Sequence, residues 1–287
     1  EGDAKVTGEN PANGAVITYY QRQRHLFGPL KIEILDPAGT VVDTIPATKH
    51  RGLNRVTWSM RVKPPVVPAA AQLAFNATRG PRMPPGTYTI RLTKGDKVYQ
   101  QSLAIGLDRR ATYTTADRKV QFESAMRVHA LFGQMSALVE RINSVRQALE
   151  AQTTALPGND PLRKQLEQIE MKADAIRKQV VATKEGGAIT GEERLREHTD
   201  LLYGAILSWE GRPTAYQLAR TEVLRAQLGQ ISADFDTLLA SDLAHANDEL
   251  NTRGLPRIVV PVTAVVAFQT LRSVDAERAI RAAFALH

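Results

Sequence analysis

The chain of 287 residues contains no cysteine. That absence excludes a disulfide scaffold, a thiolate zinc site and a cysteine nucleophile, and it suits an oxidising compartment. Aromatic residues are few, at 6%. Long apolar runs are missing too. The most apolar stretch, Ile258 to Phe268, is about half of the roughly 20 residues a membrane-spanning helix needs, so no transmembrane segment is expected. No GxSxG elbow, P-loop, GxGxxG or HExxH occurs, and with them go the common signatures of hydrolytic, nucleotide-dependent and zinc chemistry. The chain begins at Glu1 without a charged leader, apolar run and small-residue cleavage site, which reads as a processed chain or a piece of a longer one.

A hydrophobic content of 43% and a charged content of 23% describe a chain able to bury a core. The formal charge of +7 is unevenly placed: residues 1–112 hold 16 Lys and Arg against 8 Asp and Glu, a net +8, and the rest nets −1. A basic face suits an acidic protein, an anionic membrane surface or nucleic acid. The cations are scattered, with no run of five and little aromatic interleaving, so nucleic acid is not expected as a partner. Arg22, Arg24, Arg79, Arg82 and Arg91 form the candidate interaction surface.

From Ala15 to Leu107 the apolar pattern is two-fold. In "LKIEIL", Ile32 and Ile34 alternate with Lys31 and Glu33. In "RVTWSM", Val56, Trp58 and Met60 share a face. "TYTIRL" offers Tyr88, Ile90 and Leu92, and "SLAIGL" offers Leu103, Ile105 and Leu107. Successive strand residues point to opposite sides, so each segment has one apolar face. "DPAG", Asp36 to Gly39, and "KGD", Lys94 to Asp96, are turn signals. Residues 1–112 are expected to form an antiparallel Ig-like β-sandwich. Trp58, Gly86 and Tyr88 are its expected structural residues, with Gly86 ending a proline-rich excursion. That excursion, 63–85, holds six prolines and reads as a long loop, either a functional loop or a strap.

After Asp108 the spacing becomes three-and-four, the stripe of amphipathic helices. Phe122, Met126, Leu131, Met135, Leu138, Ile142, Val145 and Leu149 mark a first helix entered at Thr115. "LPGNDP" breaks it. Asp160 and Pro161 then open a second, with Leu162, Leu166, Ile169, Ala173, Ile176 and Val180. A third carries Leu195, Leu202, Ala205 and Ile206. A long fourth runs from Leu218 to Leu250 and stops at Gly254 and Pro256. The expected class is α+β multidomain, the sandwich followed by an antiparallel four-helix bundle over 113–256 and an extension over 257–287. In that extension an apolar extended piece precedes a short helix, "DAERAIRAAFALH".

Catalytic candidates are thin. The six histidines lie far apart, and only Asp242, His245 and Glu249 share a helical face, which reads as a solvated polar face. The carboxylates of "GEERLRE" read as helix-surface charges beside arginines. Trp58 and Tyr88 read as core residues in preference to a sugar-stacking pair. "NAT", Asn76 to Thr78, is an N-glycosylation sequon. No catalytic residue, metal or cofactor is assigned.

The segments "NPANGAVITYY", "LKIEILDPAGTVVDTI", "GLNRVTWSMR", "GPRMPPGTYTIRLT" and "GLPRIVVP" follow in order over 9–262. Together they resemble the C-terminal region of bacterial secreted sortilin-like or BNR/WD40-type β-propeller proteins, often labelled glycosyl hydrolase. The strand–D-x-x-G–strand–P-x-G-x-Y plan also resembles the Ig-like domain of flagellar hook-capping proteins. The resemblance implies a preceding propeller, then a sandwich and a helical bundle. The sialidase-type Ser-x-Asp-x-Gly-x-Thr-Trp box is not here, so any hydrolase activity would belong to the propeller. Trp58-Ser59-Met60-Arg61 stands where the family often has Trp-Asp-Leu-Arg, so a contact made by that carboxylate does not carry over. The function expected is a non-enzymatic exported module, periplasmic or extracellular. Its partner would be a β-propeller or a subunit of a membrane-associated complex. The alternatives are the sugar-binding accessory part of a secreted glycoside hydrolase, and a polyanion or membrane-surface binder.

Overall fold

The computed structural model describes residues 13–186 and 191–260. The chain is mixed α/β. It falls into two compact units, the first containing 13–63 and 81–115, the second 64–80 and the described residues from Ala116 onward.

The first unit holds two antiparallel sheets. β1 (Ala15–Gln21) pairs with β4 (Gly52–Trp58). In the other sheet β2 (Leu30–Leu35), β3 (Val41–Pro46), β5 (Gly86–Lys94) and β6 (Lys97–Ile105) lie in the order β3-β2-β5-β6. The expected turns close the hairpins. Asp36 Oδ1 accepts the N–H groups of Ala38 and Thr40 between β2 and β3, and Gly39 takes φ +83°. Gly95, at φ +56°, joins β5 to β6 with Lys94 opposite Lys97. Ile32, Ile34, Trp58 and Tyr88 are fully buried, and the Trp58 and Tyr88 rings meet edge-on at 5.6 Å, one from each sheet. The Tyr88 hydroxyl donates to the Pro84 carbonyl at 2.8 Å. One strand is shorter than its alternation suggests. β4 stops at Trp58, because Met60 adopts φ 55° and its carbonyl accepts the Met83 N–H.

Gly86 opens β5 at an ordinary φ, and a Cβ there would come no nearer than 3.9 Å to Pro37 and Tyr88. The glycine the strands do require is Gly14. Its φ is +156° and a Cβ would lie 2.3 Å from the Trp58 carbonyl oxygen.

The second unit is helical: α1 (Thr115–Ala155), α2 (Pro161–Val180), α3 (Leu195–Leu207), α4 (Ala215–Leu238) and α5 (Ala244–Thr252). A π-helical turn, Leu239–Leu243, joins α4 to α5. Asp160 caps α2 by accepting the Leu162 N–H, with Pro161 in the first turn. Thr214 and Gln217 form a capping box for α4. Every expected stripe residue of α2 is buried. On α1 Met126 is only half-buried, and Val128 and Phe132 lie in the core. On α3 Ala205 is exposed and Tyr203 is buried against Phe132. Ion pairs tie α1 to α2, where Arg146 meets Glu170 and Asp174. Burial raises Asp174, but Lys178, Arg177 and Arg146 together outweigh it and hold the carboxyl below its ordinary value. The chain after α5 is fixed by Asn247, whose side chain bonds both the N–H and the C=O of Ile258. The expected terminal helix lies outside the described residues.

The proline-rich excursion is the largest departure from the sequence reading. Residues 64–80 are a strap of the helical unit and not a loop of the sheet unit. At its ends the Val62 N–H donates to the Pro81 carbonyl and the Met83 N–H to Met60, a short clamp within the first unit. Between them the strap finds its partners on α1, α3 and the link between α2 and α3. Ser136 Oγ donates to Val66 O, the Ala71 N–H to Ala182 O, Gln72 Nε2 to Glu192 O, and the Tyr203 hydroxyl to Arg79 O. Ala74 and Ala77 are buried in the helical core. Three of the excursion's six prolines, Pro64, Pro65 and Pro68, lie in the strap and remove backbone donors that an irregular segment would otherwise leave unpaired, and helix side chains bond much of what remains.

Candidate interaction surface

β1 and β4 present two faces. Ile17, Tyr19, Asn54, Val56 and Trp58 point one way. The opposite face is exposed, and on it Tyr20 stands directly across from Leu53, at 65% and 78% exposure. Val16, on the same face, is also exposed. Beyond the end of this sheet, Leu26 and Phe27 project into solvent, Phe27 at 88% exposure.

A buried polar cluster fixes that end. The Tyr19 hydroxyl and Gln21 Nε2 both donate to the Thr48 carbonyl, at 2.7 and 2.9 Å. Thr48 Oγ1 donates to Asn54 Oδ1 at 2.7 Å, and Asn54 Nδ2 donates to the His50 and Gly52 carbonyls. The His25 N–H donates to Lys49 O, and the His25 ring contacts the Gly28 carbonyl at 3.0 Å. Gln21, His25 and Asn54 are all buried. These bonds hold loop 22–29 beside loop 47–51, at the end of the sheet where Tyr20 and Leu53 sit.

Charge sharpens the surface. Residues 13–32 and 44–63 contain no Asp or Glu and eight Lys or Arg. Arg22, Arg24, Lys49, Arg51 and Arg55 are exposed around the apolar tip. Two of the five arginines singled out from the sequence therefore belong here, Arg22 and Arg24. Arg91 lies across from Glu33 in the β2–β5 register and donates to it at 3.0 Å. Lys31 and Arg91 hold the Glu33 carboxyl below its ordinary value, Lys31 contributing most. Arg82 sits at the strap's clamp, its backbone paired with Arg61. Arg79 is on the strap and belongs to the helical unit. The apolar members Tyr20, Leu26, Phe27 and Leu53 were not singled out from sequence. The signal available was the run of apolar neighbours, Val16-Ile17 and Tyr19-Tyr20, which gives a strand apolar residues on both faces.

Other sequence candidates resolve into structural roles. Trp58 and Tyr88 are buried against each other and offer no platform for a sugar. Burial raises the Asp43 carboxyl above its ordinary value, against the Thr44 N–H, the Lys63 charge and the Trp58 indole. The indole Nε1 makes no hydrogen bond of good geometry, so its pull on Asp43 is weak. The "GEERLRE" carboxylates differ from a solvated helix face. Glu192 precedes α3 and accepts the Thr183 and Lys184 N–H groups and Arg194. The Thr183 bond leads in holding its pKa at about 2. Glu197 is buried with Arg196. The sequon is part of the strap's anchor: Asn76 Nδ2 donates to Asp200 at 3.0 Å and its amide abuts Gly204.

The π turn opens a groove of about 360 Å³ beside α2, lined by Gln165, Lys172, Ser241, Asp242 and His245 among others. Its charges satisfy one another, Lys172 pairing with Asp242, and Glu249 is engaged by Arg253. Among the described residues no three His, Asp or Glu side chains converge on a metal position, and no helix is long and apolar enough to cross a membrane. Comparison with protein-family models, curated proteins and solved structures gives no match.

Proposed function

We propose that this chain is a non-enzymatic, exported interaction module of bacterial envelope or secreted assemblies. Its two sheets would form an Ig-like sandwich and its helices an antiparallel four-helix bundle. The partner is an acidic protein surface with an apolar recess, on a β-propeller or on a subunit of a membrane-associated complex. The observation that carries this reading is the exposed apolar group Tyr20, Leu53, Leu26 and Phe27 on segments whose cations Arg22, Arg24, Lys49, Arg51 and Arg55 are exposed and which contain no Asp or Glu over 13–32 and 44–63. An aromatic and aliphatic centre within a polar rim is the usual anatomy of a specific protein interface. The cationic rim adds attraction to an acidic partner and speeds encounter.

A second reading, binding to an anionic membrane surface, draws on the same arginines. One experiment separates the two. The chain and a Phe27→Asp/Leu53→Asp variant are used for affinity capture from envelope extract and for flotation with phosphatidylglycerol vesicles. Capture of one defined protein by the parent chain, lost in the variant, supports the module. Vesicle binding that falls steeply with salt, without a captured protein, replaces it with the membrane reading. Equal behaviour of parent and variant overturns both.

A further inference from the structure

The second feature of the sheet unit that faces outward is an edge and not a patch. β6 is the last strand of its sheet, nine residues long, and no described strand pairs with its outer side. Val98 and Tyr99 are more than half exposed. Residues 98–107 contain no charge and no proline. The opposite edge is built differently. β3 ends in Pro46, carries Asp43, and its register against β2 shifts at Ile34/Leu35. Prolines, charges and irregular register are the means by which edge strands avoid pairing. β3 has all three, and β6 over 98–105 has none.

The β5–β6 turn determines which backbone groups of β6 point away from β5. Lys94 and Lys97 close a two-residue turn, and the closing pair of such a turn exchanges both of its hydrogen bonds. The bonded positions of β6 are then 97, 99, 101, 103 and 105. Val98, Gln100, Ser102 and Ala104 direct their N–H and C=O groups away from β5, and these eight polar groups form a ready-made ladder.

We infer that β6 is a self-pairing edge, at which two copies of this chain join antiparallel about a two-fold axis at Gln101. The strand is complementary to itself in that register. Val98 meets the second copy's Ala104, Gln100 meets its Ser102, and Tyr99 meets its Leu103. No like charges oppose, because Lys97 faces the second copy's Ile105. All four outward-facing residues of each strand lie within the paired stretch, so about eight hydrogen bonds form across the seam. The result is a continuous eight-stranded sheet with β3 at each end. The interface is an isologous one, and being narrow it is expected to hold in the micromolar range. The inference does not depend on the partner surface at β1–β4.

The absence of cysteine gives a clean test in the full chain. Gln101 meets its own copy at a pair that does not share hydrogen bonds. Such positions bring Cα atoms to about 4.5 Å, within the range a disulfide spans. Gln101→Cys is expected to oxidise to a covalent dimer, and Gln100→Cys to stay largely reduced. Sedimentation velocity should show the parent chain dimerising with concentration. Ser102→Pro removes an outward N–H and leaves the β5–β6 ladder whole, so it should be monomeric, with the parent's melting temperature at dilutions where the parent is itself monomeric. A parent chain monomeric at all concentrations overturns the inference. So does a dimer that Ser102→Pro leaves intact, or one in which Gln101→Cys does not cross-link. Slow amide exchange at 98, 100, 102 and 104 in a monomer would overturn it as well, showing that another part of the chain covers the edge.

Discussion

Glu33 shows how one residue can be read correctly for strand phase and wrongly for environment. Alternation places it opposite Ile32 and Ile34, on the polar face of β2, and that is where it lies. Yet it is buried, roofed by Lys31 and Arg91. The register that sets Arg91 across from Glu33 also withdraws Arg91 from the candidate interaction surface. A carboxyl whose folded pKa is lowered stabilises the fold above its unfolded pKa and loses that contribution as pH falls through the folded value. Glu33→Gln is therefore expected to cost about 1 kcal/mol at pH 7, since Lys31 is half exposed and solvent screens the cluster. The gap to the parent chain should narrow as pH falls below the ordinary glutamate value of 4.5. Urea unfolding across pH 3 to 7 reads this; a gap that is constant over that range would remove the ion pairs as its cause.

At the scale of elements, the run from α4 through the π turn to α5 carries the clearest lesson. Its buried residues run Leu224, Leu228, Ile231, Phe235 and Leu238 at spacings of three and four, then jump five to Leu243 before resuming at Ala246 and Leu250. An unbroken α-helix would turn Asp242 toward the core. The π turn at Leu239–Leu243 inserts one residue and restores the phase, so Leu243 enters the core and Asp242 meets Lys172. Deleting Ser241, which is exposed, makes the spacing regular and should convert the turn to α-helix. The expected outcome is a folded protein within about 1 kcal/mol of the parent, with a closed groove. Circular dichroism melting checks it, and loss of the cooperative transition would show that the π turn is required by packing beyond phase. The spacing of five was present in the sequence. What it meant depended on which residues α2 would present opposite it.

At the scale of the molecule, the strap makes the helical unit depend on a segment inserted in the middle of the sheet unit. Asp200 is its main anchor, accepting the N–H groups of Asn76 and Ala77 and the Asn76 side chain at 2.9 to 3.2 Å. Asp200→Ala leaves two backbone donors without their acceptor in a buried place and should cost the helical unit about 2–3 kcal/mol. Hydrogen exchange should quicken in the strap and α3 and stay unchanged in β2 and β5. Equal acceleration in both units would mean that they unfold as one, and that the strap is not a local anchor.

The alternation of the strands, the α2 stripe, the Asp160 cap and the turns at Asp36 and Gly95 were set by the sequence alone. Each is decided by residues within a few positions of one another, where steric and hydrogen-bonding preferences are strong. Membership of the strap, the engagement of Arg91, the docking of Asn76 on Asp200 and the exposure of Leu53 were decided only by tertiary structure. The first three turn on a partner far along the chain, more than 120 residues away for the bond between Asn76 and Asp200. Local chemistry cannot indicate which distant group will satisfy a buried donor, or which apolar face will be left in water.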